Sequence, residues 1–275
     1  MTELLEFIRS RCTGDLFPWT AQVAAAERFG LSLAQVEAQA LAADILPARY
    51  QRNRQIISCD DQRTLFGSRV AVIGCGGLGG YIIEELARLG VGELLVVDPD
   101  VFEEHNLNRQ LLATPLDLGR RKVDVAAERV ARVNPAVSVT AVPEAFGAAK
   151  GGLLLKGARV AVDGLDSINV RLELAAVCRD LGIPLVHGAI AGWYGQLTTQ
   201  QPGDLLLEKI YRGQGHAIAS KGVEKELGNP SFTPAVVASL EVAEVCKLLL
   251  DRGTPLTGRC LNVDLLDMEF CEISL

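Results

Sequence analysis

The stretch from Gly74 to Asp100, GCGGLGGYIIEELARLGVGELLVVDPD, decides the fold. An apolar run, Val70 to Ile73, leads into Gly74-x-Gly76-x-x-Gly79; a helical pattern follows, and a second apolar run ends at Asp98. Strand, glycine turn, helix and strand with a terminal carboxylate make the fingerprint of a nucleotide-binding βαβ unit. Its physics selects phosphate rather than one particular cofactor. The glycines allow a tight turn and close backbone approach, the helix N-terminus supplies N–H groups and partial positive charge, and the carboxylate accepts ribose hydroxyls. NAD, FAD and ATP can all use that arrangement.

Outward from this unit, alternating strand and helix patterns run on from Arg69. Strands are expected near 69–74, 93–98, 137–142, 159–163 and 184–188, with helices near 78–90, 119–133 and 167–182. This is an α/β fold, a Rossmann-like, mainly parallel sheet with helices on both faces. Beyond Gly188 the pattern changes. GQLTTQQPGD reads as an antiparallel strand ending in a turn, and residues 204–233 read as a long irregular segment, of the kind that binds ligands or is disordered. PAVVASLEVAEVCKLLLDRG is an amphipathic helix stopped by Gly253, and RCLNVDLLDMEFCEISL is an antiparallel pair turning near Leu266-Asp267. Upstream, TAQVAAAERFG and LSLAQVEAQALAADILP carry helical spacing on either side of Gly30, with Ser32 and Gln35 set as a capping box. Residues 1–50 therefore read as an N-terminal helical appendage and 51–275 as the nucleotide-binding domain.

The chain has 275 residues, 49% of them hydrophobic, enough for a large core plus an appendage. A formal net charge of −7 repels phosphate-rich surfaces, which argues against non-specific binding to nucleic acid or an anionic membrane. Any phosphate must be captured locally. No run approaches ~18 apolar residues and the start, MTELLEFIRSRC, is charged, so a cytoplasmic protein is expected. Seven cysteines without a C-x-x-C pair fit reduced thiols and offer no zinc ligand set, and three scattered histidines add none.

The residues after Asp98 narrow the choice of nucleotide. DPDVFEEHNLNRQLL, LGRRKVDVAAERVARVNP and AVDGLDSINVR place Asn106, Arg109, Lys122 and Asp166 near the carboxyl ends of successive strands, where such sheets bind ligands. Two cations, an amide and a carboxylate around a phosphate loop suit a triphosphate with Mg²⁺. Arg109 can fork onto phosphate oxygens, Lys122 supplies a point charge and Asp166 is a hard oxygen ligand. Singly, each also fits a plainer role as a solvated surface cation or a helix-start carboxylate. A hydride-transferring enzyme leaves Arg109, Lys122 and Asp166 without a purpose.

From about Arg49 to its end the chain resembles the MoeB/ThiF/HesA family, bacterial relatives of ubiquitin-activating enzymes. The resemblance rests on RNRQI (52–56), GCGGLGG (74–80), LGVGELLVVDPDV (89–101), NLNRQ (106–110), LGRRKVD (118–124), RVNP (132–135) and DGLDS (163–167) with Arg171. It implies a Mg-ATP-dependent adenylyltransferase, a nucleotidyltransferase that activates the C-terminal carboxylate of a ubiquitin-like sulfur carrier protein ending in Gly-Gly. Such carriers serve molybdopterin, thiamine or other thiol pathways. The resemblance further implies that Gly74, Gly76, Gly77 and Gly79 line the phosphate loop and that Asp98 holds the ribose with Asp100 beside it. Asn106, Arg109 and Lys122 would sit at the phosphates and Asp166 would position Mg²⁺. Arg54 would reach in trans into the partner's site of a homodimer.

The chain also departs from the family pattern. Arg49-Tyr50 stands further upstream of Arg54 than the family's Arg-Tyr pair does, and Ser167 replaces an asparagine often seen there. The two C-x-x-C pairs of many relatives are absent, and residues 204–233 contain no cysteine where some relatives carry one. The expectation is an enzyme that stops at the acyl-adenylate and passes it to an external sulfur donor, without a thioester of its own. Lys209, Lys221 and Lys225 are candidates to meet acidic carrier residues. Ser231, Phe232, Thr233, Trp193 and Tyr194 are candidates to line a channel for the carrier's tail, and Arg171 to orient Asp166. An NAD-dependent oxidoreductase, a non-catalytic carrier-binding homologue and an enzyme adenylating a small carboxylate on tRNA stay open as alternatives.

Overall fold

The apolar runs form parallel strands because both of their faces are covered, which leaves no solvent side for polar alternation. The computed structural model describes residues 2–212 and 227–275, so Lys221 and Lys225 lie outside the described residues. The N-terminal part contains α1 (Thr2–Arg11), β1 (Leu16–Phe17), α2 (Trp19–Phe29), α3 (Leu33–Ala42) and β2 (Leu46–Pro47). After α4 (Cys59–Phe66) come β3 (Arg69–Ile73), α5 (Gly77–Leu89), β4 (Glu93–Val97), α6 (Lys122–Val133) and β5 (Ser138–Val142). The second half has α7 (Ala148–Leu154), β6 (Val160–Asp163), α8 (Ile168–Leu181), β7 (Leu185–Ala191), β8 (Tyr194–Gln200) and α9 (Leu206–Arg212). It closes with α10 (Phe232–Leu250), β9 (Arg259–Asp264) and β10 (Glu269–Ser274).

One eight-stranded sheet runs β10-β9-β8-β7-β6-β3-β4-β5. The strands from β7 to β5 are parallel, and β8, β9 and β10 add on antiparallel. Chain order reverses between β3 and β6, so a crevice opens at their carboxyl ends. Within β3 the side chains alternate: Val70 and Val72 pack with Ile82, Leu86 and Val245 from α5 and α10, while Ala71 and Ile73 pack with Leu174 and Cys178 from α8. The period of two divides one strand between two cores. No helix among the described residues is long and apolar enough to cross a membrane.

The α/β architecture follows the sequence reading, while several local elements depart from it. The first 50 residues hold three helices and a short parallel pair, β1 with β2, instead of two helices. Their core, including Leu4, Ile8, Phe17, Ala25, Val36 and Ile45, is separate from those of the sheet. Ser32 and Gln35 do form the capping box. The segment read as irregular carries α9, whose Leu207 is fully buried against the α8 side of the sheet.

Two buried carboxylates interrupt the apolar face of α10, and Glu244 is hydrogen-bonded by Thr199 and by Leu256 N–H. Glu241 of α10 is wholly buried with neither carboxylate oxygen hydrogen-bonded among the described residues. It faces β7, where a Cβ on Gly188 would stand 2.5 Å from its carboxyl carbon. Burial pushes the Glu241 pKa well above the ordinary value of 4.5, the Asp163 charge adds to this, and Arg171 opposes it. A carboxyl raised in the folded state contributes stability that is fully present below its unfolded pKa and lost as pH rises through the folded value. Glu241→Gln keeps the volume and removes the titration. Keeping the buried carboxyl protonated costs about 1.4 kcal/mol for each pH unit above its unfolded value until the folded value is reached, so Glu241→Gln is expected to melt at least several degrees, roughly 3 °C or more, above wild type at pH 8. The two melting curves should converge as pH falls toward 4.5. A pH-independent difference would contradict this account.

Candidate functional site

The crevice between β3 and β6 is a cleft of about 980 Å³. Gly74 closes β3 with φ +98°, a left-handed conformation that a side chain resists, and a Cβ there would lie 2.5 Å from Gly164 O. A Cβ on Gly79 would stand 1.8 Å from Gly74 O, so Gly79 lets α5 start tight beneath the loop rather than lining the cleft. Gly76 and Gly77 do line it, and Gly76 caps α5 without a side chain. The first N–H groups of α5 therefore meet the cleft as bare donors.

Asp98 leaves β4 with a buried carboxylate that accepts N–H from Cys75 at 2.7 Å and from Asp100 at 2.8 Å. It thus ties the glycine loop to the adjoining strand exit. Burial raises its pKa, against which Lys122 and the two backbone donors work. Lys122, the first residue of α6, is itself 6% exposed and points its ammonium at Asp100 Oδ2, 3.1 Å away. Asp98, Asp100 and Lys122 all border the cleft.

Arg109 and Gln110 border it from the other side, presented by Asn106. The Asn106 carbonyl accepts N–H from Arg109 at 3.2 Å and Gln110 at 2.9 Å, and its side-chain oxygen accepts Glu103 N–H at 3.0 Å. Asn106 is buried, is not among the residues bordering the cleft, and holds the turn that presents Arg109 and Gln110. Arg109 donates to His105 O and Asn108 Oδ1 and leans over Gly77. Gln110 went unassigned in the sequence. Among the described residues its side-chain oxygen is buried without a hydrogen-bond partner, and its amide nitrogen lies 3.8 Å from where a Gly76 Cβ would stand. An unpartnered oxygen beside the glycine loop fits a cleft that receives a polar ligand.

Asp166 and Ser167 lie on the loop after β6 and line the same cleft, with Arg171 beneath them. The wall continues past Ala189, Ala191, Gly195, Gln196 and Asn262, a strip of small and amide side chains, with Tyr194 beside it. Trp193 and Phe232 pack on each other with ring centroids 4.5 Å apart. Thr233 is buried and donates to Gly192 O at 2.6 Å, which assigns it to the hairpin rather than to a channel wall. Lys209, on α9, is not among the lining residues.

Arg54 stands elsewhere. Its guanidinium pairs with Asp15, and its segment is held by Arg252, which donates to Ile56 O beyond the C-terminus of α10. The N-terminus of that helix, at Pro234, touches Gly77. Nineteen helical residues, about 28 Å, thus separate the Arg54 segment from its own chain's cleft.

All seven cysteines are free. Cys75 is buried with its thiol pKa raised by burial, and burial pushes Cys178 to about 12 and Cys246 to about 11. Thiols this far from ionising are poor nucleophiles. Among the described residues, no three His, Cys, Asp or Glu side chains are grouped to hold a metal ion. A single carboxylate such as Asp166 is still sufficient for Mg²⁺, which completes its shell with phosphate oxygens and water.

The ThiF family model matches residues 50–275. The chain belongs to the ThiF family. It is 41% identical over 229 residues to the SAMP-activating enzyme E1 of Haloferax volcanii, covering 81% of this chain and 83% of that one. It is 33% identical over 230 residues to the molybdopterin-synthase adenylyltransferase of Escherichia coli, covering 81% and 91%. Among solved structures, E. coli MccB with ATP shares the fold at 20% identity, with a TM-score of 0.67 over 82% of this chain and 71% of that one.

Proposed function

We propose that this ThiF-family protein uses Mg-ATP to adenylate the C-terminal carboxylate of a ubiquitin-like sulfur carrier ending in Gly-Gly. The observation that carries the reading is one cleft bordered by the bare N-terminus of α5, Arg109, Lys122 and Asp166. The named relatives, an activating enzyme and an adenylyltransferase, support it. A carboxylate is a poor acyl donor because oxide leaves badly. Attack of its oxygen on the α-phosphorus expels pyrophosphate and yields a mixed anhydride that a sulfur nucleophile can open. Two anions must approach, so Arg109, Lys122 and the α5 N-terminus would lower the charge barrier, and the cleft would align the reactants. Asp166 would hold Mg²⁺, whose contribution when bound is to neutralise phosphate charge. No proton transfer to the protein is needed.

The strip from Ala189 to Asn262 would take the carrier's extended glycine tail, since small side chains leave room for backbone and amides can pair with it. Arg54 cannot serve its own chain's cleft from its position, so its role requires a homodimer in which it releases Asp15 and reaches the partner. No cysteine borders the cleft among the described residues, and the adenylate would pass to an external sulfur donor. Carrier-dependent exchange of pyrophosphate into ATP is the test, run with Mg²⁺ and a panel of Gly-Gly proteins. Wild type should exchange with at least one carrier, and Arg109→Ala should lose about 10²-fold or more. Absence of exchange with every carrier, alongside tight NAD binding, would return the cleft to the dehydrogenases.

A further inference from the structure

Beneath the Asp166 loop, four side chains from four separate elements close into a ring. His187 Nδ1 meets Asp163 Oδ2 at 2.6 Å, and Tyr211 OH meets His187 Nε2 at 3.0 Å. Arg171 Nη1 donates to Tyr211 OH at 2.9 Å, and Arg171 Nε stands 3.4 Å from Asp163 Oδ2. Asp163 and His187 are at most 1% exposed and Arg171 is 8% exposed. The Tyr211 ring meets the imidazole edge-on, with centroids 5.7 Å apart.

Donors and acceptors in the ring match when His187 is neutral. Burial lowers the His187 pKa and the nearby Arg171 charge adds to that, so the ring holds a neutral imidazole although Asp163 pulls the other way. Asp163 accepts, so the proton sits on Nδ1. Nε2 is then an acceptor and takes the Tyr211 O–H, whose oxygen in turn accepts from Arg171. Asp163, His187 and Tyr211 thus satisfy one another, Arg171 adds its charge, and the ring serves to hold geometry.

What it holds is Leu165, the residue before Asp166. Leu165 N–H donates to Asp163 Oδ1 at 2.9 Å and Leu165 O accepts from Arg171 Nη2. Both peptide groups of that residue are thus gripped by ring members. Tyr211 differs from the other three in coming from α9, the helix that packs on α8, and it lines the cleft itself.

We propose that Tyr211 is a positioning residue that, through His187 and Arg171, makes the placement of the Asp166 loop depend on the seating of α9. This deepens the adenylation reading and rests on it for its kinetic consequence. A substrate lying against Ile210 and Tyr211 thereby sets the loop at the nucleotide end of the same cleft.

Tyr211→Phe removes only the hydroxyl. His187→Asn keeps a donor toward Asp163, because the amide nitrogen replaces Nδ1, but no longer reaches Tyr211. Each is expected to lower kcat for carrier-dependent pyrophosphate exchange about 10-fold, the scale of losing an outer-shell partner, with KM for ATP within about twofold. The double variant should be no slower than the singles, since both cut one link. An unchanged kcat in Tyr211→Phe, or losses that multiply, would overturn the inference and leave adenylation intact. Backbone amide NMR keeps the two readings apart. If wild type fails to exchange with any carrier, adenylation falls, and the ring is judged by whether Tyr211→Phe shifts the Leu165 and Asp166 amides. Shifted amides uphold the link and unmoved amides refute it.

Discussion

Lys122→Ala is expected to reduce kcat for carrier-dependent pyrophosphate exchange by about 10²–10³-fold, the cost of removing one preplaced charge donor from a developing anion. Its burial underlies the size of the effect. An exposed lysine would be screened by water and replaceable by it, whereas Lys122 is 6% exposed at the start of α6 with its ammonium fixed 3.1 Å from Asp100. The pair is neutral while the cleft holds no phosphate, so the cation is stored without an unpaired charge. When a triphosphate enters, the ammonium can exchange one anionic partner for another without reorganising the helix. The same substitution removes the charge that opposes the raised Asp98 pKa. Asp98 then ionises less readily, and its grip on the Cys75 and Asp100 amides weakens as well. KM for ATP should therefore rise together with the fall in kcat. Lys122→Arg should recover little, because a wider planar cation does not fit a site shaped for a point charge. A loss smaller than about threefold in Lys122→Ala would remove the residue from the reaction.

Much of this cleft could be read from the chain because its parts are local. The glycine spacing at 74–79 demands a tight turn by sterics alone, Asp166 follows β6 by a short connection, and Arg109 and Lys122 stand in recognisable motifs between β4 and α6. Gln110 escaped because an uncharged amide beside Arg109 gives no sequence signal, and its importance appears only when burial leaves its oxygen unpartnered. Asn106 was placed at the phosphates by its motif, while its position in the fold is decided by a turn that needs a side-chain acceptor. Asp163 and His187 were hidden for a different reason. They are register partners, Asp163 ending β6 and His187 inside β7, and register is a property of the sheet, although two polar residues among apolar runs were a legible hint. Tyr211 needed more still, since α9 lay within a segment that looked irregular. The helix α7 was missed because AAKGGLL holds two glycines, and tertiary packing overrode poor propensity there. Gly151 shows the packing, as a Cβ on it would approach the Phe146 ring to 2.8 Å.

Arg49→Ala is expected to destabilise the protein by about 3–5 kcal/mol, the cost of breaking a buried pair by removing one partner. Arg49 joins the N-terminal helices to the sheet domain. Its guanidinium donates to Glu37 of α3, to Gln22 of α2 at 2.6 Å and to Asn134, just past α6, at 3.0 Å. It also lies over the Trp19 and Tyr50 rings, 5.2 and 5.6 Å from their centroids. Tyr50 OH donates to Glu37 at 2.8 Å, and Asn134 donates both to Tyr50 OH and to Ala87 O. Glu37 is fully buried, and burial holds its pKa above the ordinary value even with Arg49 and Tyr50 opposing the rise. Without Arg49 the largest opposing influence is gone and the carboxyl rises further. A carboxyl raised in the folded state contributes stability that is intact below its unfolded value of 4.5 and lost as pH rises through the folded one. The deficit of Arg49→Ala should therefore be greatest above neutrality and shrink as pH approaches 4.5. Arg49→Ala with Glu37→Gln should recover part of the loss, since no charge is then stranded, whereas the missing cation–π and Asn134 contacts stay lost. Thermal melts at pH 5 and pH 8 on the two variants and wild type check this, and a deficit equal at both pH values would assign the loss to packing alone. The same knot fixes Tyr50 immediately before the segment carrying Arg54, so loosening it should also cost activity in any dimer that depends on that arginine.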